Sequence, residues 1–289
     1  MKKIDYTICD NKILYKNFGD YDLSQTFLCG QAFRFDSYKE GFIGFIEKQL
    51  CYITLYSGKD AKNGCCTEDA VLSVELLCAK PTHELCEKIG KFLSLDMDYA
   101  KLKCNFSKDE TLAKAIEFAP GIRVLNQDFF ETLITFIISQ NNNIPRIKQL
   151  CDRISEKYGT KVMDSYAFPT PQQLKDVTEQ DYKDMKFGFR AKYIADAVEK
   201  VLCGEIDEKT VKAMEYADAQ KYLMKIKGVG PKVADCVLLF SCRQYSSFPK
   251  DVWIKKAMEQ LFPNGMPDAA KGYEGIAQQY IFHWARHTL

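Results

Sequence analysis

A chain of 289 residues, 46% of them hydrophobic and 27% charged, is long enough for two compact lobes with sizeable cores and has the make-up of an ordinary globular protein. No apolar run reaches the roughly 18 residues a membrane-spanning helix needs, and Met1-Lys2-Lys3-Ile4-Asp5 lacks the apolar core of a secretion signal, so a cytosolic location with no membrane partner is expected. The formal net charge of +1 rules out a broadly basic surface, so any nucleic-acid interface must arise from local placement of a few groups.

Two regimes follow one another along the chain. From Ile4 to about Val74 the pattern is short, alternating and rich in Tyr, Phe and Ile. Gln31–Phe35, Gly41–Ile46 and Leu50–Tyr56 read as strands, separated by polar segments such as Asp36–Glu40. Thr82–Leu93 reads as a helix laid on that antiparallel sheet. From about Asp98 onward the chain reads as helical. Asp128–Ser139 is apolar nearly all round and is expected to be a buried central helix. Ile144–Tyr158 and Ala191–Leu202 are amphipathic, the second closing at Gly204. Ala217–Ile226, Pro231–Cys242, Asp251–Phe262 and about Gly272–His287 complete the set. The predicted class is α+β: an antiparallel sheet domain with flanking helices over residues 1–105 and an all-helical domain over residues 106–289.

The twelve cysteines are scattered, with Cys65 and Cys66 adjacent, and no CxxC pair exists. With only three histidines, His83, His283 and His287, no zinc pattern can be assembled. The last cysteine is Cys242, which excludes a C-terminal four-cysteine iron–sulfur cluster. No metal and no cofactor is expected. Most of the cysteines read as small buried apolar residues in a reducing compartment.

The most informative stretch is Leu223-Met224-Lys225-Ile226-Lys227-Gly228-Val229-Gly230-Pro231-Lys232-Val233-Ala234-Asp235-Cys236. A helix ends, a Gly-Val-Gly turn follows, and a new helix opens with proline at its first position. Two glycines allow positive φ and a close backbone approach, so the N–H groups of Gly228, Val229 and Gly230 would face one point and suit a DNA phosphate. Such a turn alone would equally serve as a plain helix connection. Nineteen positions after Lys232 comes Asp251, in Ser247-Phe248-Pro249-Lys250-Asp251-Val252-Trp253, where a helix N-cap is expected. Capping alone would account for that aspartate.

Together these residues resemble the helix-hairpin-helix/GPD superfamily of DNA repair glycosylases, and Lys225–Ala257 matches closely. Breaking a bond between base and deoxyribose passes through an oxocarbenium-like sugar, which a nearby carboxylate stabilises. A neutral lysine amine can displace the base at C1′ and become a Schiff base, after which β-elimination nicks the strand. A helix N-terminus favours the uncharged amine. The resemblance therefore implies Lys232 and Asp251 as catalytic residues.

Further segments are similar to 8-oxoguanine DNA glycosylases of the eukaryotic type, over about residues 20 to 285. In Phe136–Ile147 the resemblance implies that Asn141 fills the gap in the duplex and that Arg146 reaches the orphaned cytosine. In Gly188-Phe189-Arg190-Ala191-Lys192-Tyr193-Ile194 it implies Phe189 as a wedge and Arg190 as a second cytosine donor. Cys29-Gly30-Gln31-Ala32-Phe33-Arg34 implies that the Gly30 carbonyl accepts the N7–H that 8-oxoguanine has and guanine lacks. In Gly272–Phe282 it implies Gln278 on the Watson–Crick edge and Phe282 on the base face, with Cys236 on the other face. The implied activity is a bifunctional glycosylase and lyase of base-excision repair, acting as a monomer on double-stranded DNA that carries 8-oxoguanine opposite cytosine. Trp253 replaces a phosphate-touching histidine of animal relatives, and Phe189 replaces a tyrosine. Gln140 and Pro145 also depart from the pattern. An alkyl-purine glycosylase would lack Lys232, and a non-catalytic hairpin module or a helical interaction protein would need neither Asp251 nor the pocket set.

Overall fold

The computed structural model describes residues 2–56 and 70–289, so Cys65 and Cys66 lie outside the described residues. By contact the chain divides into two compact units. The first runs to Asn126 and resumes over Lys250–Leu289; the second is Gln127–Pro249.

Among its described residues the first unit opens with six antiparallel strands, β1 (Asp5–Cys9), β2 (Lys12–Lys16), β3 (Phe35–Tyr38), β4 (Gly41–Ile46), β5 (Gln49–Tyr56) and β6 (Val71–Leu76), in the order β1-β2-β6-β5-β4-β3. Register follows the alternation: Ile13 faces Val74 and Val74 faces Ile53, all three fully buried. The helix α1 (Leu23–Phe27) is capped by Asp22, and α2 (His83–Phe92) by Thr82, whose hydroxyl accepts from the Leu85 N–H. Cys86, Ile89 and Phe92 of α2 join the sheet residues in one core with Phe27, Phe35 and Phe42.

Gln31–Arg34 is not a strand, contrary to expectation; β3 begins only at Phe35 and takes in Asp36–Tyr38, which the sequence suggested as a separator. The cause lies in Gln31. Its buried amide donates to the carbonyls of Thr26 (2.8 Å) and Arg123 (2.7 Å) and accepts from Leu125 N–H (2.8 Å), so the loop is held by side-chain bonds and not by a ladder.

After α3 (Tyr99–Phe106) and α4 (Glu110–Phe118), the buried Arg123 guanidinium donates to the Asp20 carbonyl and lies 4.2 Å from the Tyr99 ring centroid. The helices α12 (Val252–Leu261) and α13 (Glu274–Thr288) belong to this same unit, with α13 packed on α4 and α12. This contact-based division cuts the chain elsewhere than the sequence boundary between residues 105 and 106. Asn105 donates to the Ala269 carbonyl at 2.6 Å, and Lys103 pairs with Asp20, so the stretch around that boundary is tied on both sides.

In the second unit α5 (Phe129–Ser139) is capped by Asp128 and buries nine of its residues. Around it come α6 (Ile144–Tyr158), the short pair β7 (Lys161–Val162) and β8 (Ser165–Tyr166), α7 (Glu179–Asp184), α8 (Ala191–Leu202), α9 (Glu208–Ala213), α10 (Tyr216–Leu223) and α11 (Pro231–Cys242). Stacking of Phe136 on Phe240, with centroids 5.4 Å apart, joins α5 to α11.

Candidate active site

The hairpin joins α10 to α11. The expected first helix ran to Ile226, but α10 stops at Leu223 and tightens, with Lys225 N–H bonded to Tyr222 and Ile226 N–H to Leu223. The next N–H, of Lys227, is taken at 2.8 Å by Asp196 of α8, a buried carboxylate that also pairs with Lys200 and Lys227. Burial alone would raise the Asp196 pKa, but the Lys227 N–H and the two ammonium groups outweigh it and hold the carboxyl below its ordinary value. A second carboxylate, Asp235 of α11, accepts from Tyr216 (2.9 Å) and Gln220 (2.6 Å) and so ties the two hairpin helices together.

Gly228 has φ +76°, and a side chain there would lie 2.4 Å from the Tyr193 ring. Glycine is thus required twice, by conformation and by contact. Gly228→Ala is expected to cost about 3 kcal/mol, read from the denaturant midpoint. Adding Tyr193→Ala should recover only the contact part; a midpoint unmoved by Gly228→Ala would defeat this account. The three predicted phosphate donors are not equivalent. Val229 is buried and its N–H bonds inward to the Ile226 carbonyl at 3.1 Å. The N–H groups of Gly228 and Gly230 have no partner within the unit, and the same holds for Lys232 and Val233 in the first turn of α11. The open donors are therefore four, with Val229 out of the set.

Lys232 is the second residue of α11 and half-buried. Its Nζ lies 5.2 Å from the Phe136 ring centroid and makes no hydrogen bond or ion pair within its unit. Cys236, one turn on and buried, lies on the same helix face.

After α5, Gln140 caps the helix and Asn141 turns the chain at φ +48°. Asn142 Nδ2 donates to the Ile138 carbonyl at 3.2 Å, and Asn143 caps α6 through the Arg146 N–H at 2.9 Å. The side chain of Asn141 is exposed and carries no such bond. Arg190 is 8% exposed: Nε (2.9 Å) and Nη2 bond to the Gln140 carbonyl, Nη2 to that of Asn141 (3.0 Å), and Nη1 to that of Phe187 (3.4 Å). Burial, and after it the charge of Arg146, lower the Arg190 pKa, while the Arg146 guanidinium itself donates to the Gln149 side chain and, at 3.4 Å, to the Lys186 carbonyl. The expected cytosine donor is thus first of all the clamp of the asparagine turn, with one Nη1 hydrogen left over. Arg190→Lys, which keeps the charge and loses the fork, is expected to destabilise the protein by about 2 kcal/mol in a chemical unfolding experiment. Phe189 is 45% exposed, with the Arg190 guanidinium 4.5 Å from its ring centroid and Tyr193 at its edge.

The remaining predicted residues lie in the first unit. Asp251 caps α12, its Oδ1 accepting from the Ile254 N–H at 2.8 Å. Gly30 has φ +84°, and a side chain there would lie 3.4 Å from the Phe282 ring. Gln278 is buried one turn before Phe282. Its Oε1 accepts from Gln279 Nε2 at 2.7 Å, and Gln279 Oε1 accepts from the Cys29 thiol at 3.6 Å. Burial pushes the Cys29 pKa up to about 12, so the thiol remains a donor. The first unit thus gathers Gly30, Gln278 and Phe282. The second gathers Lys232 with Cys236, and Asn141 with Arg146, Phe189 and Arg190.

Two family models cover most of the chain: "8-oxoguanine DNA glycosylase, N-terminal domain" over residues 13–133 and "HhH-GPD superfamily base excision DNA repair protein" over residues 134–279. The chain belongs to the 8-oxoguanine DNA glycosylase family. Similar members of the family include the N-glycosylase/DNA lyase OGG1 of Arabidopsis thaliana, 34% identical over 92% of this chain and 74% of the relative. A probable N-glycosylase/DNA lyase of Methanothermobacter thermautotrophicus is 28% identical over 93% and 95% of the two chains. The solved 8-oxoguanine glycosylase/lyase of Clostridium acetobutylicum, in complex with double-stranded DNA containing cytosine opposite 8-oxoguanine, has 33% identity and a TM-score of 0.85 over 99% of this chain and 98% of that one.

Within this 8-oxoguanine glycosylase family member, sequence reasoning did not single out the residues that orient the site: Gln279 and Cys29 behind Gln278, Asp196 and Asp235 behind the hairpin, and Gln31 behind Gly30. Cys29, Gln31, Asp235 and Gln279 stand inside the segments quoted above, beside the residues given a role there, and Asp196 lies outside them. Most act on groups distant in sequence: Gln31 on Arg123 and Leu125, Asp196 on Lys227, and Cys29 on Gln279, 250 positions away.

Proposed function

We propose that this protein is a bifunctional DNA glycosylase and AP lyase of base-excision repair that removes 8-oxoguanine opposite cytosine, with Lys232 as nucleophile and Asp251 as the carboxylate that stabilises the sugar. The observation that carries the reading is the Lys232 amine, half-buried over Phe136 in the first turn of the second hairpin helix with no acid of its own unit holding it. The amine adds to C1′ as the C1′–N9 bond breaks. The bonding pair leaves on the base, which takes up a proton at N9. Opening of the sugar at O4′ yields a Schiff base, and loss of a C2′ proton expels the 3′ phosphate.

Gln278 takes the Watson–Crick edge, Phe282 and Cys236 the two faces of the base, and the Gly30 carbonyl the N7–H. Asn141 and Phe189 fill and wedge the vacated duplex, and Arg146 with the spare Nη1 hydrogen of Arg190 reads cytosine. The four open N–H groups of the hairpin take a DNA phosphate. The enzyme works as a monomer in the cytosol, and no helix among the described residues is long and apolar enough to cross a membrane.

Borohydride trapping tests the reading. Wild type is expected to form a covalent adduct on an 8-oxoguanine duplex, most of it with cytosine opposite the lesion. Absence of adduct with all four opposing bases would overturn it.

A further inference from the structure

We propose that Arg286 is an additional substrate contact that grips a phosphate oxygen of the extruded nucleotide. The proposal rests on the glycosylase reading above. On α13, Gln278, Phe282 and Arg286 follow at intervals of four and share one face. The Arg286 guanidinium lies 5.5 Å from the Phe282 ring centroid, and its Nη1 is 4.0 Å from where a side chain on Gly30 would begin. It therefore sits at the same place as the groups assigned to the base.

Among the described residues, the half-buried Arg286 makes no hydrogen bond or ion pair within its unit, although it has five N–H donors. The groups around it do not neutralise it. His283 is held neutral, down to about 4, by burial first and by the charges of His287 and Arg286 after it. The Cys29 thiol stays protonated, and the carboxylate of Asp22, whose charge acts on His283, accepts from the Gln25 N–H and makes no ion pair with Arg286. A half-buried guanidinium with five donors and no bonded acid among the described residues offers a ready partner to a ligand anion.

The spacing selects the ligand. Gln278 takes the far edge of the base and Phe282 its face. One more helical turn, about 6 Å, passes the base on the sugar side. The full negative charge of a nucleotide is on its phosphate, and planar forked recognition of phosphate suits arginine. In a chain of net charge +1 a single such contact weighs heavily.

The test measures binding of wild type, Arg286→Gln and Arg286→Lys to duplexes carrying 8-oxoguanine or a non-cleavable abasic analogue, over a range of salt. Arg286→Gln is expected to weaken both complexes by a similar factor, about tenfold, and to reduce the slope of log K against log salt by about 0.9. Arg286→Lys should keep the slope. An unchanged slope with Arg286→Gln overturns the proposal. A loss confined to the 8-oxoguanine duplex also overturns it, and would assign the guanidinium to a base carbonyl. Wild-type borohydride trapping, run alongside, separates the two readings. An adduct with an unchanged slope sinks the Arg286 contact alone, whereas no adduct sinks the catalytic reading itself.

Discussion

Lys232→Gln is expected to abolish the borohydride-trapped adduct and to slow base release by on the order of 10⁴-fold or more, while leaving stability and lesion binding nearly unchanged. Glutamine is of similar reach and can lie over Phe136 as the lysine does, so the packing of α5 against α11 through Phe136 and Phe240 need not change. The start of α11 depends on Gly230 and Pro231, not on the side chain at 232. What is lost is the nucleophile. Single-turnover base release and trapping on the same duplex check the prediction. An adduct that persists in the variant would mean that another amine performs the attack, and Lys232 would lose its assigned role.

Asp251 is a harder case because it demonstrably does structural work, capping α12 through the Ile254 N–H. Asparagine caps a helix about as well as aspartate, whereas alanine does not. Asp251→Asn is therefore expected to keep the unfolding midpoint within about 0.5 kcal/mol and to lower base release by on the order of 10²–10³-fold, the scale of losing one electrostatic group aimed at a developing charge. Asp251→Ala should show the same catalytic loss and a further destabilisation of about 1 kcal/mol. If Asp251→Asn released base at the wild-type rate, the carboxylate would be a cap and nothing more. The pair of variants thus separates two roles that the sequence alone leaves superposed.

Helices were legible where periodicity and capping agreed. Ile144–Tyr158, Ala191–Leu202 and Pro231–Cys242 match their predicted limits, because each has a polar face, an apolar stripe or a proline start that acts locally. Gly41–Ile46 was equally clear as a strand. Gln31–Arg34 was not, since its alternation of apolar and polar residues looks like a strand while the burial of Gln31 comes from bonds to Thr26, Arg123 and Leu125. At the site, residues in motifs were visible: Lys232 after Gly-Val-Gly-Pro, Asp251 after Pro249, and Gln278 with Phe282 at one helical turn. Their supports were not. The placement of Asp196 under Lys227 and of Cys29 against Gln279 depends on tertiary proximity, which no window of sequence records. Arg190 stands between these cases. Its position was legible, but its burial against the Gln140 and Asn141 carbonyls was not.

That clamp has an evolutionary corollary. The loop it secures is gripped by main-chain oxygens, which every amino acid possesses, so the scaffold asks of the exposed side chain at 141 little beyond its positive φ. The tip is in effect an interchangeable bit in a fixed chuck. Lineages, or a directed library restricted to Asn, Asp and Gly at position 141, can sample new ways of probing a helix gap without first re-evolving the holder.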